Sequence, residues 1–139
     1  MKIARLLFAL FLASFSACST TTGRGKNDSA KADTETVLVT YHVKPGKEAE
    51  FQAVLSQAWE IYRKEQLVFT EPHVIVQASE GDNKTRFVEI FTWVSHATPE
   101  HAPDAVKAIW NQEQALCEAR DGHGALEGGE VYLLAPVHH

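Results

Sequence analysis

The 139-residue chain contains only two cysteines, Cys18 and Cys117, too few for the disulfide framework of a small secreted scaffold. Positive charge is also scarce. Thirteen Lys and Arg stand against 18 Asp and Glu, for a net charge of −5. The positives form no basic patch, which argues against a nucleic-acid partner. No apolar run reaches the ~20 residues that a membrane-spanning helix requires. There is no HExxH motif, and no Ser- or Cys-based catalytic triad is legible from spacing. The glycine-rich stretch "GHGALEGG" imitates a phosphate loop but does not open into a helix, so it lacks the dipole and free N–H groups that bind phosphate. It reads as a connector.

What is present begins with an address. Lys2 and Arg5 precede an apolar run from Leu6 to Ala17 that is broken only by serines. A positive start, a short apolar stretch and small residues at its end describe a secretory signal peptide over residues 1–17. Ser16-Ala17 directly before Cys18 resembles the bacterial lipoprotein box, with Phe15 where leucine is usual. Cys18 is the expected lipidation site, because a thiol is the nucleophile that takes the diacylglycerol. Ser19 after it matches lipoproteins sorted to the outer membrane, so the expected location is the cell envelope, facing the periplasm. Residues 18–34 comprise the lipidated cysteine and a linker with no large apolar side chain, too polar to fold by itself. Its reach is roughly 20–24 Å. Without Lys2 and Arg5 the chain carries 11 basic and 18 acidic residues, a net charge of −7.

Residues 35–137 form the expected single domain. "TVLVTYHV" (36–43) is β-branched and aromatic, a strand closed by Pro45-Gly46. From Lys47 to Arg63 the apolar residues Phe51, Val54, Leu55, Ala58 and Tyr62 recur at helical spacing. Pro72 introduces a second strand, "HVIVQAS". "EGDNKT" supplies a hairpin turn, and "RFVEIFTWV" is the third strand. A second helix is expected to begin near Pro103, since proline is tolerated only in a first turn. Val106, Ile109, Trp110 and Leu116 should face inward. "EVYLLAPV" (130–137) reads as the fourth strand. The order is βαββαβ, an α+β ferredoxin-like pattern. Two helices cover one face of a four-stranded sheet; the other, with Val88, Ile90 and Val94, calls for a partner, most simply in a homodimer. Cys117 reads as a small buried apolar residue.

"YHVKPGKEAEFQAVL" (41–55) and "FVEIFTWVSHATPEHAPDAVKAIW" (87–110) resemble the antibiotic biosynthesis monooxygenase family of dimeric α/β barrels. That family contains cofactor-independent oxygenases of electron-rich aromatics, haem-degrading enzymes and domains without an assigned reaction. The resemblance implies a homodimer, a small aromatic ligand held between sheet and helices, and no metal or flavin cofactor. His101 matches the histidine that many members carry at the start of the second helix and is the expected catalytic residue. Tyr41, His73, Phe91, Trp93 and Trp110 are the expected substrate-pocket residues, with His73 and His42 as further candidates for the base. Glu89 reads as a buried charge paired across a dimer. The haem-degrading residues are not matched, the nearest positions being Val39, His101 and Trp110-Asn111. No designed metal site is expected either: His96 and His101 fall on different helix faces, and His138-His139 end the chain. The alternative function is a non-catalytic binding or envelope-interaction module.

Overall fold

The computed structural model describes residues 33–135. The expected signal peptide, Cys18, the linker up to residue 32 and His138-His139 lie outside the described residues. Among those described, no helix is long and apolar enough to cross a membrane.

Strand β1 (Glu35–Val43) is followed by helix α1 (Glu48–Lys64), β2 (Val68–Gly81), β3 (Lys84–Trp93), α2 (Asp104–Leu116) and β4 (Leu126–Glu130). Helix α1 buries Phe51, Leu55, Ala58 and Tyr62, the stripe that its spacing predicts. Glu48 and Glu50 occupy its first turn and Arg63 and Lys64 its last, each sign matching the helix dipole. The β2–β3 turn carries Asp82 and Asn83 at φ 46° and 58°, the left-handed conformations that a two-residue hairpin requires. Pro103 precedes α2, where a missing N–H leaves no helical bond unmade.

The strands form one sheet in the order β2-β3-β1-β4, all neighbours antiparallel. This is the ferredoxin-like α+β arrangement expected from the element order. Both helices lie on the sheet face that carries Val37, Tyr41, Phe87, Phe91 and Trp93, all buried. Tyr41, Phe51 and Phe87 centre one half of the core with Leu55 and Leu116; Phe91, Trp93, Tyr62 and Ile109 centre the other. Cys117 is buried and unbridged, and burial pushes its thiol up to about 12, so it is an inert core residue as expected. On the opposite face Val74 and Val76 are 45% and 49% exposed, beside half-buried Leu38, Val88 and Ile90.

Two boundaries differ from the sequence reading. Strand β2 begins at Val68, and a register shift between Val68 and His73 accommodates Pro72, which an edge strand tolerates. The fourth strand is "LEGGE", not "EVYLLAPV". Its register is pinned by His42 N–H donating to Ala125 O and Val131 N–H donating to Thr36 O. The paired ladder ends at Glu130 opposite Val37, and the Val131 N–H bond to Thr36 O is its last rung. Gly128 and Gly129 thus pair with Val39 and Leu38, while Tyr132, Leu133 and Leu134 are exposed. Propensity favoured the apolar run; the available partner strand decided otherwise.

Candidate functional site

Alternation along β3 turns Glu89 toward the helices, between Phe87 and Phe91, and leaves it 1% exposed. A carboxylate at such a position must find donors, and it finds two. The Tyr41 hydroxyl donates to Glu89 Oε2 at 3.0 Å. His73 Nε2 lies 2.9 Å from Glu89 Oε1; since a carboxylate only accepts, that nitrogen carries a proton, and in the neutral ring Nδ1 holds the lone pair. Glu89 is thus buried as expected, and Tyr41 and His73 of its own chain are its partners among the described residues. The β2–β3 register places His73 opposite Phe91, one step diagonal from Glu89. The His73 ring stacks on Trp59 of α1 with centroids 3.5 Å apart.

Helix α2 adds a second buried carboxyl. Its inward spacing runs Val106, Ile109, Glu113, Leu116, so Glu113 takes a core position. Its Oε1 has no hydrogen-bond partner among the described residues. Desolvation first, and then the charge of Glu89, push its pKa up to about 8, so Glu113 is mainly protonated at neutral pH. Desolvation and the Glu89 charge also hold Tyr41 well above the usual phenol range, which keeps it a donor. Tyr62 is raised too, chiefly by burial, and its hydroxyl accepts the Trp110 indole N–H at 2.6 Å. One carboxyl contacted on each oxygen by a donor group and a second held mainly neutral constitute an acceptor and an acid, a pairing of the kind that proton-transfer sites use.

Of this group His73 is the member that meets solvent, with its side chain 17% exposed against 1% for Glu89. It sits at the β2 edge beside half-buried Trp59 and exposed Ile75. Behind it, Phe91, Trp93, Tyr62 and Trp110 meet in tilted and edge-on contacts. The structure therefore brings Tyr41, His73, Phe91, Trp93 and Trp110 into one layer between sheet and helices. His101 lies elsewhere. It is exposed in the turn before α2, its N–H bonded to Ala97 O and Thr98 O. There it lines a depression of about 240 Å³ with Leu67, Ser95, Ala97 and Thr98. His42 points to the opposite sheet face from Tyr41. On that face is the one group of His, Cys, Asp and Glu side chains among the described residues close enough to share a cation: His42, His123 and Glu127.

Sequence reasoning missed Glu113 and Trp59. For Glu113 a signal existed, an acid occupying an inward helical position. The His73–Glu89 contact had none, because it depends on strand register.

No protein-family model matches the chain, and no curated protein matches it. Solved structures do. SnoaB, a cofactor-independent oxygenase from Streptomyces nogalater, aligns at a TM-score of 0.56 and 16% identity over 76% of this chain and 97% of its own. A conserved protein from Methanosarcina mazei Go1 aligns at 0.55 and 17% over 71% and 91%. A protein from Caulobacter crescentus CB15, provisionally described as an antibiotic biosynthesis monooxygenase, aligns at 0.49 and 18% over 73% and 92%. At these identities the first two likenesses establish the shared fold.

Proposed function

We propose that this domain binds a small electron-rich aromatic molecule at the His73 edge and oxidises it with O₂ without metal or flavin, and that it does so as a lipid-anchored homodimer. The observation that carries the reading is the chain Tyr41–Glu89–His73: a histidine oriented by a buried carboxylate, which a phenol in turn holds in place. The fold shared with SnoaB is consistent with it; fold by itself does not fix activity.

The chemistry follows from the tautomer. His73 Nδ1 makes no hydrogen bond among the described residues, and its side chain is the part of the cluster that meets solvent. It takes a proton from an acidic phenol or from a methylene activated by fused rings. Glu89 stabilises the imidazolium that results. The substrate carbanion or phenolate then reduces O₂ directly. For a methylene, R₂CH₂ + O₂ gives R₂C=O + H₂O: one oxygen atom enters the product, the other leaves as water, and the substrate supplies all the electrons. General-base catalysis of this kind contributes about 10²–10⁴-fold.

Oxygen uptake by the full chain, tested with a panel of phenols and fused-ring hydroxyaromatics, decides the matter. Expected is saturable uptake in which His73→Ala lowers kcat about 100-fold or more with KM little changed, while His101→Ala retains kcat. Saturable binding without uptake would establish the non-catalytic binding module instead. Loss of turnover in His101→Ala but not in His73→Ala would return the base to the turn before α2.

Exposed Val74, Val76, Tyr132, Leu133 and Leu134 support the homodimer, since an apolar surface of this kind marks an interface. The anchor rests on Ser16-Ala17-Cys18 and the apolar run before it. Two or more acyl chains on Cys18 hold a protein to a membrane stably where one does not. Cys18→Ser should abolish labelling of the protein by radioactive palmitate in cells; labelling that survives would refute the anchor.

A further inference from the structure

We propose that His42, His123 and Glu127 form a binding site for a divalent cation of the zinc class, on the face of the sheet opposite the His73 cluster. The three residues come from the end of β1, from the loop before β4 and from β4 itself. The β1–β4 ladder assembles them: Glu127 pairs directly with Thr40, and the Ala125 carbonyl accepts the His42 N–H. Their ligand atoms all lie within 4.8 Å of one another.

The state of His42 points to a metal. Its side chain is 5% exposed, and Nε2 is buried with no hydrogen-bond partner among the described residues. The other ring nitrogen, Nδ1, lies 3.1 Å from Glu80 Oε1. Glu80 accepts, so Nδ1 carries a proton, and it is the neutral form of the ring that presents Nε2 as a bare lone pair to a metal. That lone pair faces the Glu127 carboxylate at 3.9 Å, too far for a hydrogen bond and wide enough for an ion between them. Glu80 is itself held by Arg120, whose Nε donates to Oε2 at 3.0 Å and whose Nη2 lies 2.7 Å from it. A histidine whose far nitrogen donates to a carboxylate is the outer-shell arrangement that fixes metal-binding imidazoles.

The remaining ligands are equally prepared. His123 Nδ1 lies 3.2 Å from both oxygens of Glu127, and its ring faces that of His42 at 5.6 Å. The Gly124 N–H donates to Glu127 Oε1 at 3.0 Å and sets the carboxylate's direction. In a tetrahedral zinc site with bonds of about 2.0–2.2 Å, ligand atoms stand roughly 3.3–3.6 Å apart. The widest gap must therefore close by about 1 Å. The His123 and Glu127 side chains are 59% and 43% exposed and have the freedom to do so. Two imidazoles and a carboxylate suit zinc better than magnesium or calcium, which take oxygen sets. Three protein ligands leave the fourth position to solvent. Glu127 also borders a groove of about 290 Å³ with Leu38, Thr40 and Gly128 to Val131, so an exchangeable ligand has room there.

The test is a Co(II) titration of the untagged, chelator-stripped full chain, read by visible absorption, followed by displacement with Zn(II). Expected is one equivalent with a tetrahedral spectrum. Glu80→Gln should weaken binding about 10- to 100-fold, and His123→Ala and Glu127→Gln by more; both of these side chains are exposed, so the fold persists. His138→Ala/His139→Ala should leave affinity unchanged. Binding that survives His123→Ala, or that disappears with the terminal histidines, would overturn the proposal. So would the absence of any bound cobalt. None of these outcomes depends on oxygen uptake at the His73 edge.

Discussion

Replacing Glu113 with glutamine should remove most of a specific pH dependence of stability. Burial raises the Glu113 pKa from 4.5 to about 8, so the folded state holds a proton there that the unfolded chain has released. A raised carboxyl pKa means stability that is fully present below the unfolded value and is lost as pH climbs through the folded one. The slope is about −1.4 kcal/mol per pH unit where only the folded state is protonated. Integrated from pH 5 to pH 8, the loss amounts to about 3–4 kcal/mol, an upper bound because water penetration moderates burial. Glutamine is neutral throughout and keeps the shape. It adds a buried amide whose unmet hydrogen bonds cost about 1–3 kcal/mol, but by the same amount at every pH. Urea unfolding of both proteins at pH 5, 6, 7 and 8 isolates the effect, because histidine titrations common to both cancel in the difference. Glu113→Gln should be the less stable protein at pH 5 and the equal or more stable one at pH 8. Parallel pH profiles would show that Glu113 is ionised in the fold and would refute the division into acceptor and acid.

Three further outcomes follow from the packing. Arg120 donates to Glu80, Glu118 and the Val43 and Thr85 carbonyls with its side chain 6% exposed; Arg120→Ala should cost about 3–5 kcal/mol in urea unfolding, and a loss below 1 kcal/mol would contradict its role as a buried tie. Gly128→Ala should be neutral or stabilising by about 0.5 kcal/mol in thermal melts, since an added Cβ meets Leu38 O and Val39 Cγ2 at an ordinary 3.7 Å. Val74→Lys with Val76→Lys puts two charges on the outer sheet face; light scattering should show a dimer for the parent chain and a monomer for the variant, and a dimer that persists would place the interface elsewhere.

Most of the architecture was legible because its signals are local. The 3.6-residue stripe of α1, the β-branched run of β1 and the Asp82-Asn83 turn each reflect backbone preference acting with burial. Strand β4 was misplaced because Gly128 and Gly129 have little intrinsic preference for extended structure, and their pairing with Val39 and Leu38 is a long-range contact that local sequence does not show. The site was legible in part. Tyr41, His73, Phe91, Trp93 and Trp110 do share a layer, a consequence of period-two and period-3.6 spacing. That Glu89 would join Tyr41 to His73 depends on a register set by a shift near Pro72. The His42, His123 and Glu127 group is further from reach, since its members meet only through the β1–β4 ladder.

The tautomer and reach of His73 can be observed directly by ¹⁵N NMR of the histidine-labelled chain, with and without a hydroxyaromatic ligand. Expected is a His73 ring protonated at Nε2 and bare at Nδ1, whose resonances move saturably on adding ligand while those of His101 hold still. A His73 ring protonated at Nδ1, or one that no ligand perturbs while His101 responds, would contradict the assignment of the base.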